Sequence, residues 1–272
     1  MSGLRLAVAG ASGRMGQAIL RLAGESTEVS VVHALVRPGS VAVGRARSDG
    51  RGVYRSVDTE GLEQVDVVVD FALPAALEHV VARVKNWRSA LVVGGTGHAP
   101  RQLEQLERLA SEFCVVRDRN MSLGVHALCA LVERAASLLG AEFDYEIFEQ
   151  HHRQKVDAPS GTALLLFEAL RTGARHLDPS PVMERATIGA SRHGGEVGIL
   201  SSRGGQVPGD HTVYCLGEEE RLELTHRALN RDVFARGALR AALWAAHAAP
   251  GNYTMRDVLG ALVANEHCQE TD

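Results

Sequence analysis

The sequence predicts an α/β protein: a parallel sheet covered by helices on both faces, then a smaller α+β unit with a mixed, open sheet. Three observations carry this. Between Leu4 and Val116, short β-branched runs alternate with stretches of helical period, the pattern of buried parallel strands joined by crossover helices. The first of these strands ends in a glycine turn that opens into a helix. From Tyr145 onward, most strands follow one another with no helix between them, which reads as a hairpin-rich sheet.

A chain of 272 residues is long enough for two domains. Its net charge of −4 gives no case for nucleic acid. No apolar run reaches the roughly 18 residues of a membrane span, so none is expected. The opening Met1-Ser2-Gly3-Leu4-Arg5 leads straight into a strand and does not have the form of a signal peptide. Cys114, Cys129, Cys215 and Cys268 are scattered without C-x-x-C spacing. They point to reduced thiols and a cytoplasmic protein rather than a structural zinc site, and no metal is expected.

Leu4–Ala9 reads as a buried strand. Gly10-Ala11-Ser12-Gly13-Arg14-Met15-Gly16 follows, then a helix through Ala18, Ile19, Leu20 and Leu22. Strand, glycine turn and helix are the context of a Rossmann-like dinucleotide fingerprint, here spaced G-x-x-G-x-x-G. Glycines let the backbone approach a pyrophosphate, and the helix N-terminus faces its charge. The second strand, Val29–Val36, ends in Arg37, where an acidic residue would accept the adenosine ribose hydroxyl. An Arg there accommodates a 2′-phosphate, so NADPH is expected to be preferred over NADH. Residues 38–60 read as loop with at most short strands. Val65–Phe71 is a strand, Pro74 opens a helix to Trp87, and Ala90–Val93 is a strand closing in Gly94-Gly95-Thr96-Gly97. A helix at 100–111 and a strand at Phe113–Val116 complete the alternation. Gly10–Gly16, Arg37, Phe71, Gly94–Gly97 and Asn120 all fall at strand C-termini, the edge where such sheets bind ligands.

A long helix is read at Ala127–Leu139, a strand at Tyr145–His151 and a helix at 161–173. A further strand is read within 195–205, and a hairpin at His211–Leu216 and Arg221–His226. Asp232–Ala248 is a helix, and Met255 starts another.

The chemistry concentrates between Glu146 and Ala163. Alternation puts Ile147 and Glu149 on one face of the strand and Glu146, Phe148 and Gln150 on the other. His151, His152 and Lys155 follow. Ser160-Gly161-Thr162 precede the apolar run Ala163–Phe167 as a helix start, with Ser160 or Asp157 as its cap. Of the 29 basic residues only Lys85 and Lys155 are lysines. An ammonium can release a proton that a guanidinium keeps, so Lys155 reads as a proton donor. The alternative is a surface lysine paired with Asp157 or Glu149.

With these segments assembled, the chain resembles dihydrodipicolinate reductases of the diaminopimelate–lysine pathway over nearly its whole length. His151-His152-Arg153-Gln154-Lys155-Val156-Asp157-Ala158-Pro159-Ser160-Gly161-Thr162-Ala163 matches that family's H-H-x-x-K-x-D-A-P-S-G-T-A signature. G-R-M-G near the start, R-G-G-x-x-x-G-D-H-T-V at 203–213, R-L-E-L-T-H-R-A at 221–228 and M-R-D-V-L at 255–259 occur in the order the family has them. The resemblance implies an NAD(P)H-dependent reductase of 4-hydroxy-tetrahydrodipicolinate and a homotetramer. It implies a dinucleotide-binding domain at 1–122 with 232–272, and a substrate-binding and oligomerisation domain at 123–231. By position, His151 matches the catalytic histidine and Lys155 the proton donor. His152, Ser160, Gly161 and Thr162 match positions that hold the substrate's carboxylates. Gly10, Ala11, Ser12, Gly13, Arg14 and Met15 match the pyrophosphate loop, and Arg37 a position near the ribose. Gly94, Gly95 and Thr96 match the nicotinamide side, as do Asp118, Arg119, Asn120 and Met121. The chain departs from the family at Gly95 and His98, at Ala72 and at Asp118, Arg119 and Met121, all on that nicotinamide side. A reductase of another cyclic imine or dicarboxylate, or a non-catalytic nucleotide-binding protein, is the alternative function. Partners are otherwise limited to a small dicarboxylate, with no nucleic acid and no membrane.

Overall fold

The computed structural model describes residues 3–178, 180–185 and 189–261. The chain divides into two compact units, Met1–Leu123 with Arg231–Asp272, and Gly124–Asn230.

In the first unit, strands β1 (Leu4–Ala9), β2 (Val29–Val36), β3 (Tyr54–Ser56), β4 (Val67–Asp70), β5 (Ala90–Val93), β6 (Cys114–Arg117) and β11 (Gly251–Tyr253) form one sheet. Its order is β11-β6-β5-β4-β1-β2-β3, and every pair is parallel. The chain leaves β1 in one direction and later returns beside it as β4. The crevice between their C-terminal ends is therefore the topological switch point of a Rossmann-like sheet. Helices α1 (Arg14–Glu25) and α6 (Asp232–Ala245) pack on one face through Ile19, Leu20, Ala235, Ala238 and Ala242. Helices α2 (Leu77–Trp87) and α3 (Pro100–Ala110) cover the other through Leu77, Val84, Leu106 and Leu109. The strands are buried on both faces, which is why they read as unbroken apolar runs.

In the second unit, β7 (Asp144–His151), β8 (Val197–Arg203), β9 (Asp210–Leu216) and β10 (Arg221–Arg227) form a sheet of order β10-β9-β7-β8. Its inner face, with Tyr145, Ile147, Val197, Ile199 and Val213, packs against α4 (Leu123–Leu139) and α5 (Gly161–Gly173). The sheet is mixed because β7 and β8 run parallel while β9 runs antiparallel to β7 and β10.

Several boundaries differ from the sequence reading. β4 starts at Val67, because Asp66 turns its carboxylate back to accept the Arg5 N–H at 2.7 Å. The helix read from Pro74 opens as a 3-10 turn before α2. Helix α4 begins already at Leu123, after Asn120 Oδ1 accepts the Ser122 N–H at 2.8 Å. β11 was not anticipated; it adds three residues beside β6. The stretch Leu123–Glu142 is long and apolar enough to cross a membrane by length and composition. Leu128, Val132 and Ala136 nevertheless form a buried stripe against β7 and α5, as in a core helix. Cys114, Cys129 and Cys215 form no disulfide among the described residues, and Cys268 lies outside them.

Candidate active site

The glycine turn is shaped by the strand next to it. Gly10 has φ +74°, a conformation that disfavours any side chain, and a Cβ there would lie 2.6 Å from the Phe71 carbonyl oxygen at the end of β4. Gly13 donates its N–H to Gly10 O at 2.9 Å and Ala11 donates to Leu35 O at 3.0 Å, so the loop is tied to β1 and β2. Helix α1 then starts with no side-chain cap and no acidic residue in its first turn. The amides of Arg14, Met15 and Gly16 have no intrahelical acceptor, and Arg14 adds a positive charge. That donor set fits a pyrophosphate.

Arg37 is exposed directly after β2, beside a small crevice lined by Gly10, Val36, Ala72 and Ala76. Its guanidinium makes no ion pair among the described residues. Gly94 and Gly95 both donate their N–H to Asp70 O, at 2.9 and 3.2 Å, and Thr96 is exposed. Two positions on this side are used structurally. The Asp118 carboxylate accepts the Met255 N–H at 3.1 Å and the Arg119 N–H at 2.7 Å. The Met121 side chain is buried in the core beneath α6. Asp70 is buried, and burial pushes its carboxyl up to about 6 against the opposing hydrogen bond from the Ala72 N–H.

In the second unit, β7 delivers Glu149 and His151 to the buried face, as the alternation requires. His151 Nδ1 is bonded to Glu149 Oε2. Arg203, opposite on β8, grips the same carboxylate with Nη1 to Oε2 at 3.0 Å and Nη2 to Oε1 at 2.8 Å. The Ser160 N–H adds a bond to Oε1 at 3.3 Å. Burial alone would raise the Glu149 carboxyl. Hydrogen bonds from His151, Arg203 and Ser201 outweigh it and bring the group down to about 2. Ser160 is the cap of α5, its Oγ accepting the Ala163 N–H at 3.1 Å, and it also bonds His211 Nε2 at 3.1 Å. Burial and the neighbouring His151 lower His211 to about 3, so it is neutral. Its ring meets His151 edge-on, with centroids 5.0 Å apart.

Lys155 lies in the turn after β7, its Nζ 2.9 and 2.8 Å from the two carboxylate oxygens of Asp157. The pairing weighed as the alternative for Lys155 is therefore present, with Asp157 and not Glu149. Asp157 is largely exposed, so this is a weak surface pair that another carboxylate can replace. It uses two of the three ammonium hydrogens. His152 donates its N–H to Val207 O at 2.8 Å, and Gly161 and the buried Thr162 form the first turn of α5.

The donor atoms of Glu149, His151 and His211 lie within 4.8 Å of one another, a spacing that could hold a metal ion. Arg203 already occupies both oxygens of Glu149 and Ser160 occupies Nε2 of His211, so a cation would have to displace a guanidinium. The donor set does not fit a resident metal. The sequence reading did not single out Glu149, Arg203 or His211 for this site. An ionisable residue on the inward face of β7, two positions before His151, was the available signal for Glu149. Arg203 and His211 come from β8 and β9, and only the pairing of strands brings them in.

Residues 4–121 match the family model for the dihydrodipicolinate reductase N-terminus and residues 124–259 that for its C-terminus. The chain belongs to the dihydrodipicolinate reductase family. Family members named 4-hydroxy-tetrahydrodipicolinate reductase from Beijerinckia indica and Rhodopseudomonas palustris are 44% and 45% identical over 268 residues, covering 96% of this chain and 98% of each relative. Among solved structures, a dipicolinate-bound dihydrodipicolinate reductase from Paenisporosarcina shares the fold, with a TM-score of 0.68 at 24% identity over 93% of this chain and 97% of the other. A diaminopimelate dehydrogenase from C. glutamicum shares it more loosely, with a TM-score of 0.55 at 13% identity over 95% and 96%.

Proposed function

We propose that the chain reduces 4-hydroxy-tetrahydrodipicolinate to tetrahydrodipicolinate with NAD(P)H, in lysine and diaminopimelate biosynthesis: the ring loses its 4-hydroxyl as water, and one double bond takes up hydride and a proton. The observation that carries this reading is the grouping, in one short turn, of His151, Lys155 and the Ser160-capped start of α5. A nicotinamide cofactor, held at Gly10–Met15, Arg37, Gly94–Thr96 and the 118–121 turn, supplies hydride when bound. The chain's own residues do the rest. His152, Ser160, Gly161 and Thr162 bind the substrate's carboxylates, using hydroxyl and helix-start N–H donors. Lys155 exchanges Asp157 for the substrate and gives a proton from Nζ to the atom where negative charge develops as the double bond is reduced. His151 assists that transfer. The first unit is the dinucleotide-binding domain and the second the substrate-binding one.

NADPH is the preferred cofactor in this reading, because Arg37 offers an exposed charge where a 2′-phosphate would sit. A homotetramer is supported by the outer face of the mixed sheet, where Phe148 and Leu200 stand opposite each other and exposed. Sedimentation of Phe148→Glu checks it: a smaller particle than wild type supports assembly through this face, and an unchanged one removes it. In this reading the protein works in the cytoplasm, which its scattered cysteines, without C-x-x-C spacing, support.

The test of the activity is NADPH oxidation followed by absorbance, with substrate generated in situ from pyruvate and aspartate semialdehyde by the preceding synthase, and NADH in parallel. Turnover is expected. Cofactor binding without turnover would move the reading to another cyclic imine or dicarboxylate.

A further inference from the structure

We propose that Glu149 and Gly209 are positioning residues that hold the His151 ring from its two sides. Glu149 fixes Nδ1, and the absence of a side chain at Gly209 leaves Nε2 open to the substrate. The inference rests on the reading that His151 acts on substrate.

Glu149 is fully buried, and a buried carboxylate is tolerated only when its oxygens are paired. Here they accept from Arg203 twice, from the Ser160 N–H and from His151. Fixed by three other donors from β8 and the head of α5, the carboxylate cannot rotate away. A carboxylate only accepts hydrogen bonds, so Nδ1 of His151 carries the hydrogen that it receives. Fixing one nitrogen of an imidazole this way assigns the chemistry to the other, Nε2.

On the far side of the ring stands Gly209, just before β9. A Cβ built there would lie 2.9 Å from His151 Nε2 and 3.4 Å from His211 Cε1. Any side chain would press on the nitrogen left available. The backbone cannot readily back away. Gly209 O accepts the Ala228 N–H at 3.0 Å, and the loop that leads to it is laddered to the end of β7 through His152 N to Val207 O at 2.8 Å and Gly204 N to His151 O at 2.9 Å. His211, pinned by Ser160, forms a third wall.

The test compares Glu149→Gln, Gly209→Ala and His151→Gln in the full-length protein. It measures kcat and KM at saturating NADPH, thermal unfolding, and the downfield proton resonance of the hydrogen on His151 Nδ1. Glu149→Gln should lower kcat at least about tenfold with little change in KM, and lose that resonance. Gly209→Ala should lower kcat by a similar factor while keeping it, because the Glu149 side is intact. If Glu149→Gln leaves the part-buried Arg203 without its ion partner and does not fold, Glu149→Gln with Arg203→Met removes both charges and serves instead. Wild-type kcat in the Glu149 and Gly209 variants, with activity lost in His151→Gln, would overturn the two-sided clamp and leave the role of His151 standing. Wild-type kcat in His151→Gln would overturn the reading of the site itself.

Discussion

At the C-terminal edge of the seven-stranded sheet, the converging groups are mostly main chain: the carbonyl of Phe71 against Gly10, and the first-turn amides of an uncapped helix. At the end of β7 they are side chains: Glu149, His151, Arg203, Ser160 and His211, bonded into one network. Main-chain groups have no pKa in the working range and need only the right path of the chain. They suit a ligand that is bound the same way before and after reaction. Side-chain groups can exchange protons and can be tuned by burial, which suits the place where charge changes during the reaction. The division predicts that mutations in the second unit act on kcat, while those in the first act on cofactor affinity and local stability.

The largest effect should come from Lys155→Ala. Loss of a general acid costs about 10²–10⁴-fold in kcat, and Lys155 makes only a surface ion pair, so the fold should be kept. Near wild-type kcat in the folded variant would remove the proposed role and weaken the contrast. In the first unit, Gly10→Ala places a methyl group against Phe71 O from a left-handed conformation, and should destabilise by about 1–3 kcal/mol. Denaturant unfolding measures the loss, and a fluorescence titration with NADPH should show weaker binding. If affinity were unchanged, the glycine turn would be an ordinary strand–helix connection.

The same contrast decides what could be read from the sequence. β1, β2, β5 and α5 coincide with the segments marked by apolar runs, glycine turns and a Ser cap, all signals carried by neighbouring residues. The glycine turn and the His151–Thr162 stretch were legible for the same reason. β11 was not, because three residues after Pro250 hold no pattern and become a strand only by lying beside β6. The parallel pairing of β7 with β8 depends on a long connection through α5 whose return to the sheet no local pattern marks. The bond from the Met255 N–H to the Asp118 carboxylate, across 137 positions, could not be read from local pattern either. Arg203 and His211 are neighbours of His151 only through sheet register.

One buried acid and one buried base sharpen the comparison through pH. His211 titrates near 3 in the folded chain against 6.5 ordinarily, so below 6.5 the unfolded chain takes up a proton that the folded one refuses. Its surroundings should lose stability as pH falls from 6.5 toward 3. Asp70 is raised to about 6 from 3.8, so the folded chain holds a proton that the unfolded chain has released between those values. Its contribution is complete below 3.8 and disappears as pH rises through 6. Between pH 6 and 4.5, before the ordinary value of Glu149 is reached, acidification should loosen β9 and tighten the end of β4. Amide hydrogen exchange on the two segments measures this, and Asp70→Asn and His211→Gln should each flatten the slope of its own unit. Equal slopes in wild type and variant would show that neither group is shifted as described.

The smallest effect concerns Arg37. Its side chain is exposed and makes no ion pair among the described residues, so a phosphate bound to it stays in contact with water, and such charge pairs contribute about 1 kcal/mol or less. Arg37→Ala should therefore raise KM for NADPH by only about fivefold at low salt. KM for NADH, which has no 2′-phosphate, should change little, as should kcat with either cofactor. The ratio of kcat/KM for the two cofactors should accordingly move toward NADH, and the shift should shrink as salt is added, because an exposed pair is screened. An equal change in both cofactors would mean that Arg37 supports the end of β2 and does not read the phosphate. A fall in kcat would be more damaging to the contrast, since it would place a chemical contribution in the unit that is argued to bind through its backbone.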